Sequence, residues 1–313
     1  MKFGVHLPLI GFEDNKEFTL GWLNDYASTA NQSGYSTLCA NDHLIFSRPW
    51  LDGPTALAAV LTASGSMKLA TTVSIPVVRG PVTTAKTLGA IDILSGGRLV
   101  VGVGPGSSAR DYALIGIPFE ERWKRLDEAI KTLRSLWGHS VEAFEGDYYS
   151  TKDVSLEPHP VSPSGPPIWI GSWGSQAGLR RTARLGDGWL ASAYNTTPQM
   201  FSEGKKRLDR YLQDANKSPN DFPNAMATAF MYITEDKAEA DQVMDDIIVP
   251  TIGRPKEELV DRLPVGSAVD CAEKLSRYSA AGLQEVFLWP VADEINQIEI
   301  FMSQVAPLVK SLG

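Results

Sequence analysis

The sequence predicts an α/β chain, a (β/α)8 TIM barrel with an inserted hairpin and rim loops, and three observations carry that expectation. First, residues 69–106 contain one complete βαβ unit: LATTVSIPVVRG, the helix pattern PVTTAKTLGAIDIL, an SGGR turn, and LVVGVGPG. Both strand patterns are unbroken apolar or β-branched runs, as parallel strands buried on both faces should be, and neither ends in a hairpin turn. Second, strand and helix patterns alternate eight times along the chain. Third, 313 residues suit one such barrel with insertions, so a single domain over 1–313 is expected. An open doubly wound sheet is the competing architecture, but it needs crossover reversals that a sequence does not display.

Taken in order, residues 2–8 read as the first strand, 16–33 as a helix, 35–40 as the second strand and 53–64 as the second helix. Beyond the βαβ unit, FEERWKRLDEAIKTLRSLW (119–137) sets Trp123, Leu126, Ile130, Leu133 and Trp137 at helical spacing with charges between them. Residues 141–156 break the rhythm: Glu145-Gly146-Asp147 between aromatic-rich extended arms reads as an inserted β-hairpin. The fifth strand is PIWIGS (167–172), followed by a helix over 174–185 and the sixth strand GDGWLAS (186–192). Thr197 as N-cap and Pro198 at the first position open the next helix. The seventh strand (225–234) and a helix over 236–247 follow. Residues 249–266, with Pro250, Gly253, Pro255, Pro264 and Gly266, form an irregular excursion expected to serve as a lid over the rim. Ser267 starts a helix, 284–289 is the eighth strand, and 293–311 is the closing helix.

Composition excludes several functions. Lys and Arg number 29 against 37 Asp and Glu, a net charge of −8, which disfavours nonspecific binding to nucleic acid or an anionic membrane, since both need a basic face. Two cysteines, Cys39 and Cys271, argue against a disulfide framework and suit a reducing cytosol. The N-terminus runs straight into a strand without a signal-like apolar core, and no window is apolar for long enough to span a bilayer; a cytoplasmic location is expected. His6, His43, His139 and His159 form no local cluster, and neither an HExxH nor a paired-cysteine motif is present, so no metal is expected.

In parallel α/β folds chemistry gathers at the carboxyl ends of the strands. Asp42-His43 lies at such an end. A histidine there can donate a proton or polarise a cofactor atom, its neighbouring carboxylate orienting it or raising its pKa; the alternative is a loop-capping pair. The fourth strand ends in Gly102-Val103-Gly104-Pro105-Gly106-Ser107-Ser108, which resembles a truncated dinucleotide fingerprint. The acidic residue expected about 20 positions on at a strand end falls instead on Asp127, within a helix pattern. These glycines either admit a flat ring close to the backbone or satisfy a tight corner. Gly171, Ser172, Gly174 and Ser175 lead from a strand into a helix carrying Arg180 and Arg181, the setting for phosphate capture by free amides, against the alternative of an ordinary N-cap with two solvated arginines. Thr72-Val73-Ser74 interrupts a buried strand with polar residues, which suggests a bulge or irregular peptide near a ligand, against the alternative of Thr and Ser as ordinary tolerated strand residues. Trp50, Trp173 and Trp289 either wall an apolar pocket or fill the core.

Taken together, Asp42-His43, the run from Thr71 to Gly106, GIPFEERWKRLDEAI and PPIWIGSWGSQAGLRRTARLGDGWL resemble the bacterial-luciferase-like flavin and deazaflavin oxidoreductases. Ala85-Lys86, Ser95-Gly-Gly-Arg98 and Gly186-Asp187-Gly188-Trp189 carry the likeness most specifically. The resemblance implies a (β/α)8 barrel, usually a homodimer, that holds coenzyme F420 or, alternatively, FMN with its ring in the barrel mouth. It implies that Asp42 and His43 face the ring, that Thr72-Val73 is a non-proline cis peptide backing it, that Gly104 and Gly106 let backbone approach it, and that Gly171 through Ser175 bind phosphate. Where some deazaflavin members carry a glutamate after the fourth-strand glycines, this chain has Pro105, Gly106 and Ser107, which sets it apart from the sugar-phosphate dehydrogenases among them. The nearest acid, Asp111, receives no role. The expected function is hydride transfer between F420 and a small organic substrate, with catalytic His43 as proton donor or ring-polarising group. The alternatives are an FMN-dependent monooxygenase fed by a separate flavin reductase and a flavin-binding protein without turnover.

Overall fold

The computed structural model describes residues 1–12, 17–139 and 142–310. Its barrel strands are β1 (Lys2–His6), β2 (Thr37–Ala40), β3 (Lys68–Ser74), β4 (Leu99–Val103), β5 (Ile168–Gly171), β6 (Gly188–Ser192), β7 (Asn224–Ile233) and β8 (Glu285–Pro290). Each pairs in parallel with the next, and β8 pairs with β1, so the sheet closes on itself. Closure makes this a (β/α)8 TIM barrel and removes the doubly wound alternative.

Strand residues that point inward are mostly small, and a few large ones fill the space they leave. Cys39, Ala70, Leu190, Ala225 and Ala227 pack with Trp169 and Phe287 in a cluster of their own. Gly4 on β1 belongs to this arrangement, since a Cβ there would lie 2.6 Å from the Phe287 ring. The outward-facing residues, such as Leu38, Leu69, Val101 and Ile170, join the larger core beneath the helices. This is the double burial that the unbroken apolar strand patterns require.

The helices between strands are α1 (Leu20–Gln32), α2 (Gly53–Ala59), α3 (Pro76–Arg79), α4 (Pro81–Ser95), α5 (Ala109–Leu114), α6 (Arg122–Trp137), α7 (Gln176–Leu185), α8 (Pro198–Asp214), α9 (Lys237–Val243), α10 (Val249–Ile252), α11 (Lys256–Leu259), α12 (Ala268–Ala280) and α13 (Glu294–Ile300). Side-chain caps start many of them: Thr197 accepts from the amide of Met200, and Ser267 from that of Asp270. The residues most specific to the family resemblance hold the opposite, N-terminal end of the barrel. Gly96 and Gly97 take positive φ after α4, and Arg98 ties the carbonyls of Leu61, Met67 and Ser95. Asp187 accepts the Ile168 amide (2.9 Å) and pairs with Arg134 (2.8 Å).

Several elements differ from expectation. The inserted hairpin reduces to one antiparallel bridge, Glu145 to Ser150, because Glu128 of α6 takes the amides of Asp147 and Tyr148. The second helix stops at Ala59, and the run after Ser74 folds as the helical turn α3, since Pro76 cannot continue a ladder. Helix α5 had no counterpart in the sequence pattern. The excursion 249–266 is largely helical and adds a two-residue strand, Val265–Gly266, beside Tyr232 and Ile233. The expected element ends at Lys16, Val141 and Ser311 lie outside the described residues.

Candidate active site

At the carboxyl ends of the strands two ladders lose register, β3 with β4 between Thr71 and Ser74 and β7 with β8 between Met226 and Ala229. At the first break the Thr72–Val73 peptide is cis; at the second Thr228 has φ +61°. His6 at the end of β1 joins the two. Its Nε2 accepts the Thr228 amide (3.1 Å), and its Nδ1 lies 3.4 Å from Thr72 Oγ1. That assigns the proton to Nδ1. Complete burial lowers the pKa of His6 to about 3 and keeps the ring neutral, stacked on Trp289 at 4.3 Å. His6 is therefore a structural group beneath the site, a role its isolated position in the sequence did not signal.

Above these breaks lies a cavity of about 430 Å³. Its floor includes Val73, whose two methyl groups face Gly104 and Gly171: a Cβ at these glycines would sit 2.7 and 3.0 Å from them. Gly104 thus makes room for Val73. Asn41 fixes the same floor, its Oδ1 accepting the amides of Val73 (3.2 Å) and Asp42 (2.8 Å). Asp42, His43, Thr72, Val73, Gly104, Gly106, Gly171, Ser172 and Ser175 all line the cavity, so residues up to 133 positions apart converge as the strand ends required. Gly174, between the lining residues Trp173 and Ser175, has φ +89° and open space where a Cβ would be.

The acidic neighbour of His43 is committed elsewhere. Both Asp42 oxygens accept from Arg79 (2.7 and 2.6 Å), whose Nη2 also reaches Asp52. Burial lowers the pKa of His43, while the carboxylates of Asp111 and Asp42 act against that shift. Phe46 and Trp50 pack on the imidazole at 5.2 and 4.7 Å, and Trp50 meets Trp289 edge-on at 5.6 Å. Of the three tryptophans, Trp289 fills the core, Trp50 supports His43, and Trp173 lines the cavity with 56% of its surface exposed.

At the far end of the cavity, Ser175 caps α7 through the Gly178 amide (3.2 Å). The remaining first-turn amides have no acceptor within the helix. The arginines expected beside them are not there: Arg181 and Arg184 pair with Asp127, and Arg180 lies over the Tyr211 ring. Arg122 of α6 lines the cavity instead. Among the described residues lining the cavity it is the one Lys or Arg; its Nη1 donates to the Phe119 carbonyl (2.9 Å) and its guanidinium lies 4.0 Å from that ring. Trp123, assigned by spacing to the buried face of α6, joins it on the cavity wall. The segment 249–266 contributes no lining residue; Arg262 and Arg254 bind the Tyr194 carbonyl and Asn195, bracing the loop after β6.

The model of the luciferase-like monooxygenase family matches residues 1–263. The chain belongs to this family. An F420-dependent glucose-6-phosphate dehydrogenase of Segniliparus rotundus is 26% identical over 98% of this chain and 100% of its own length. A 5,10-methylenetetrahydromethanopterin reductase of Archaeoglobus fulgidus is 30% identical over 77% of this chain and 67% of its own. Among solved members of the fold, an F420-dependent secondary alcohol dehydrogenase in complex with an F420–acetone adduct superposes with a TM-score of 0.84, at 18% identity and 99% coverage of both chains. Among the described residues, no helix is long and apolar enough to cross a membrane.

Proposed function

We propose that this member of the luciferase-like family is an F420-dependent oxidoreductase acting on a small organic substrate, with His43 as the proton-transfer group. The observation that carries the reading is the polarity of the cavity: an imidazole with a neutral bias at one end, a helix N-terminus with Arg122 at the other, and a smooth floor of Val73 and small residues between. Such a cavity fits an elongated ligand with a flat ring and a phosphate-bearing tail. Val73, Thr72 and Asn41 would lie against the ring, and Ser172, Gly174, Ser175 and Arg122 would hold the phosphate through amides and charge. A bound deazaflavin supplies hydride chemistry: a hydroxyl substrate oxidised to a carbonyl loses a hydride to it and a proton to a base. His43 serves as that base at Nε2, since Nδ1 is turned towards Asp111, and returns the proton in the reducing direction. The F420-dependent relatives support the choice of deazaflavin over FMN.

The cavity also bears on substrate class. Among the described residues lining it, Arg122 is the one Lys or Arg, and a cofactor phosphate would engage it, so a neutral alcohol or carbonyl compound fits better than a sugar phosphate. A homodimer and a cytoplasmic location complete the proposal and rest on the resemblance and on the composition. Purification from a host that makes both cofactors, followed by mass spectrometry of the released molecule, tests the reading, with F420 expected. FMN in its place would favour a monooxygenase served by a flavin reductase. F420 that stays bound and unreactive towards alcohols and ketones would leave a binding protein without turnover.

A further inference from the structure

The charged group that approaches His43 from another element is a carboxylate with no role in the sequence pattern. Asp111 of α5 is 2% exposed, and its Oδ2 lies 3.8 Å from His43 Nδ1. Its other oxygen accepts the amide of Ile45 (3.1 Å), so it is anchored to the loop that carries the histidine. His43 Nδ1 is buried and has no hydrogen-bond partner among the described residues. A separation of 3.8 Å exceeds a hydrogen bond, yet it fixes which face of the ring looks at a negative charge. An N–H turned towards a carboxylate is attracted, and a lone pair there is repelled. Asp42 cannot take this part, because Arg79 of α3 occupies both its oxygens. Phe46 and Trp50 also pack on the ring and carry no charge.

We propose that Asp111 is the positioning residue of His43: it selects the Nδ1–H tautomer and leaves the Nε2 lone pair towards the cavity. The role rests on the reading of His43 as the proton-transfer group. In the oxidising direction the substrate's O–H bond breaks and its proton bonds to Nε2. The freed electron pair forms the C=O bond as the C–H pair leaves as hydride, which a bound deazaflavin would accept. The carboxylate of Asp111 opposes the imidazolium charge until Nε2 releases its proton to solvent. Burial favours the neutral ring that starts this sequence.

Nitrogen-15 NMR of the imidazoles in the cofactor-free protein tests the assignment, with the His43 signals identified by their loss in His43→Gln. The parent protein is expected to hold His43 as the Nδ1–H form. Asp111→Asn keeps an oxygen for the Ile45 amide but not the charge, and should lower the ratio of Nδ1–H to Nε2–H by about tenfold, because the through-space attraction between an N–H and a buried negative charge is lost. Asp111→Glu should return the ratio towards the parent value, and it stands as the test if Asp111→Asn does not fold. An Nε2–H tautomer in the parent, or a ratio unchanged by removal of the charge, overturns the proposal. Because this readout needs no cofactor, a shifted tautomer with no F420 binding would sink the functional reading and spare Asp111. F420 binding with an unshifted tautomer would do the reverse.

Discussion

Replacing Arg79 by Met should be among the most damaging single changes at the barrel mouth. Asp42 is buried, with its side chain 1% exposed, and both its oxygens depend on a guanidinium that is itself 19% exposed. Removing one partner of a buried ion pair leaves an uncompensated charge and costs about 3–5 kcal/mol. The second partner, Asp52, is 39% exposed and contributes little. Unfolding entropy near 2.1 cal/mol/K per residue, over 313 residues, is about 0.66 kcal/mol/K, so the loss should lower Tm by about 5–8 °C. Calorimetry of Arg79→Met, Asp42→Asn and the double variant measures it. The double variant, with no charge left to strand, should recover more than half of the loss. A Tm within 1–2 °C of the parent for Arg79→Met, or a double variant no better than the single, would refute the reasoning.

Three other outcomes follow from the same geometry. Gly104→Ala drives a methyl into Val73, a stiff side chain held on its other side by Gly171, and should cost about 1–3 kcal/mol by overpacking; denaturant titration and F420 fluorescence should show weaker folding and weaker binding together. His6 has a folded pKa of about 3 against about 6.5 when unfolded, so the unfolded chain binds the extra proton between those values. Stability should therefore fall as pH drops below 6.5, by about 2 kcal/mol at pH 5 from this residue, and His6→Gln, which keeps an acceptor for Thr228, should show a correspondingly flatter dependence in denaturation at pH 7.5 and 5. Arg122→Gln should weaken binding of F420 by about tenfold or more, the value of a charge-assisted hydrogen bond, while the deazaflavin core lacking its phosphate should bind parent and variant alike; equal losses for both ligands would remove the phosphate from Arg122.

The barrel was legible because its signals are local and redundant. Eight apolar strand patterns, the caps Thr197 and Ser267, and the SGGR turn each act within a few residues, and closure is the economical way to bury such strands on both faces. The resemblance placed Thr72-Val73 and Gly171 through Ser175 at the rim, where the structure brings them together. Trp123 was misassigned because helical spacing identifies a face of α6 but not whether core or cavity lies opposite it.

Periodicity and capping along the chain specify the order of the eight barrel strands and the main helices between them, the barrel, and the set of strand ends where a ligand can sit, but not the short helices α3, α5, α10 and α11. Only tertiary structure decided the partners. Charge pairing depends on distance in space, so Asp42 turns to Arg79 and not to its neighbour His43, Asp111 arrives from 68 positions away to face that histidine, and Arg122, not Arg180 or Arg181, is the arginine lining the cavity.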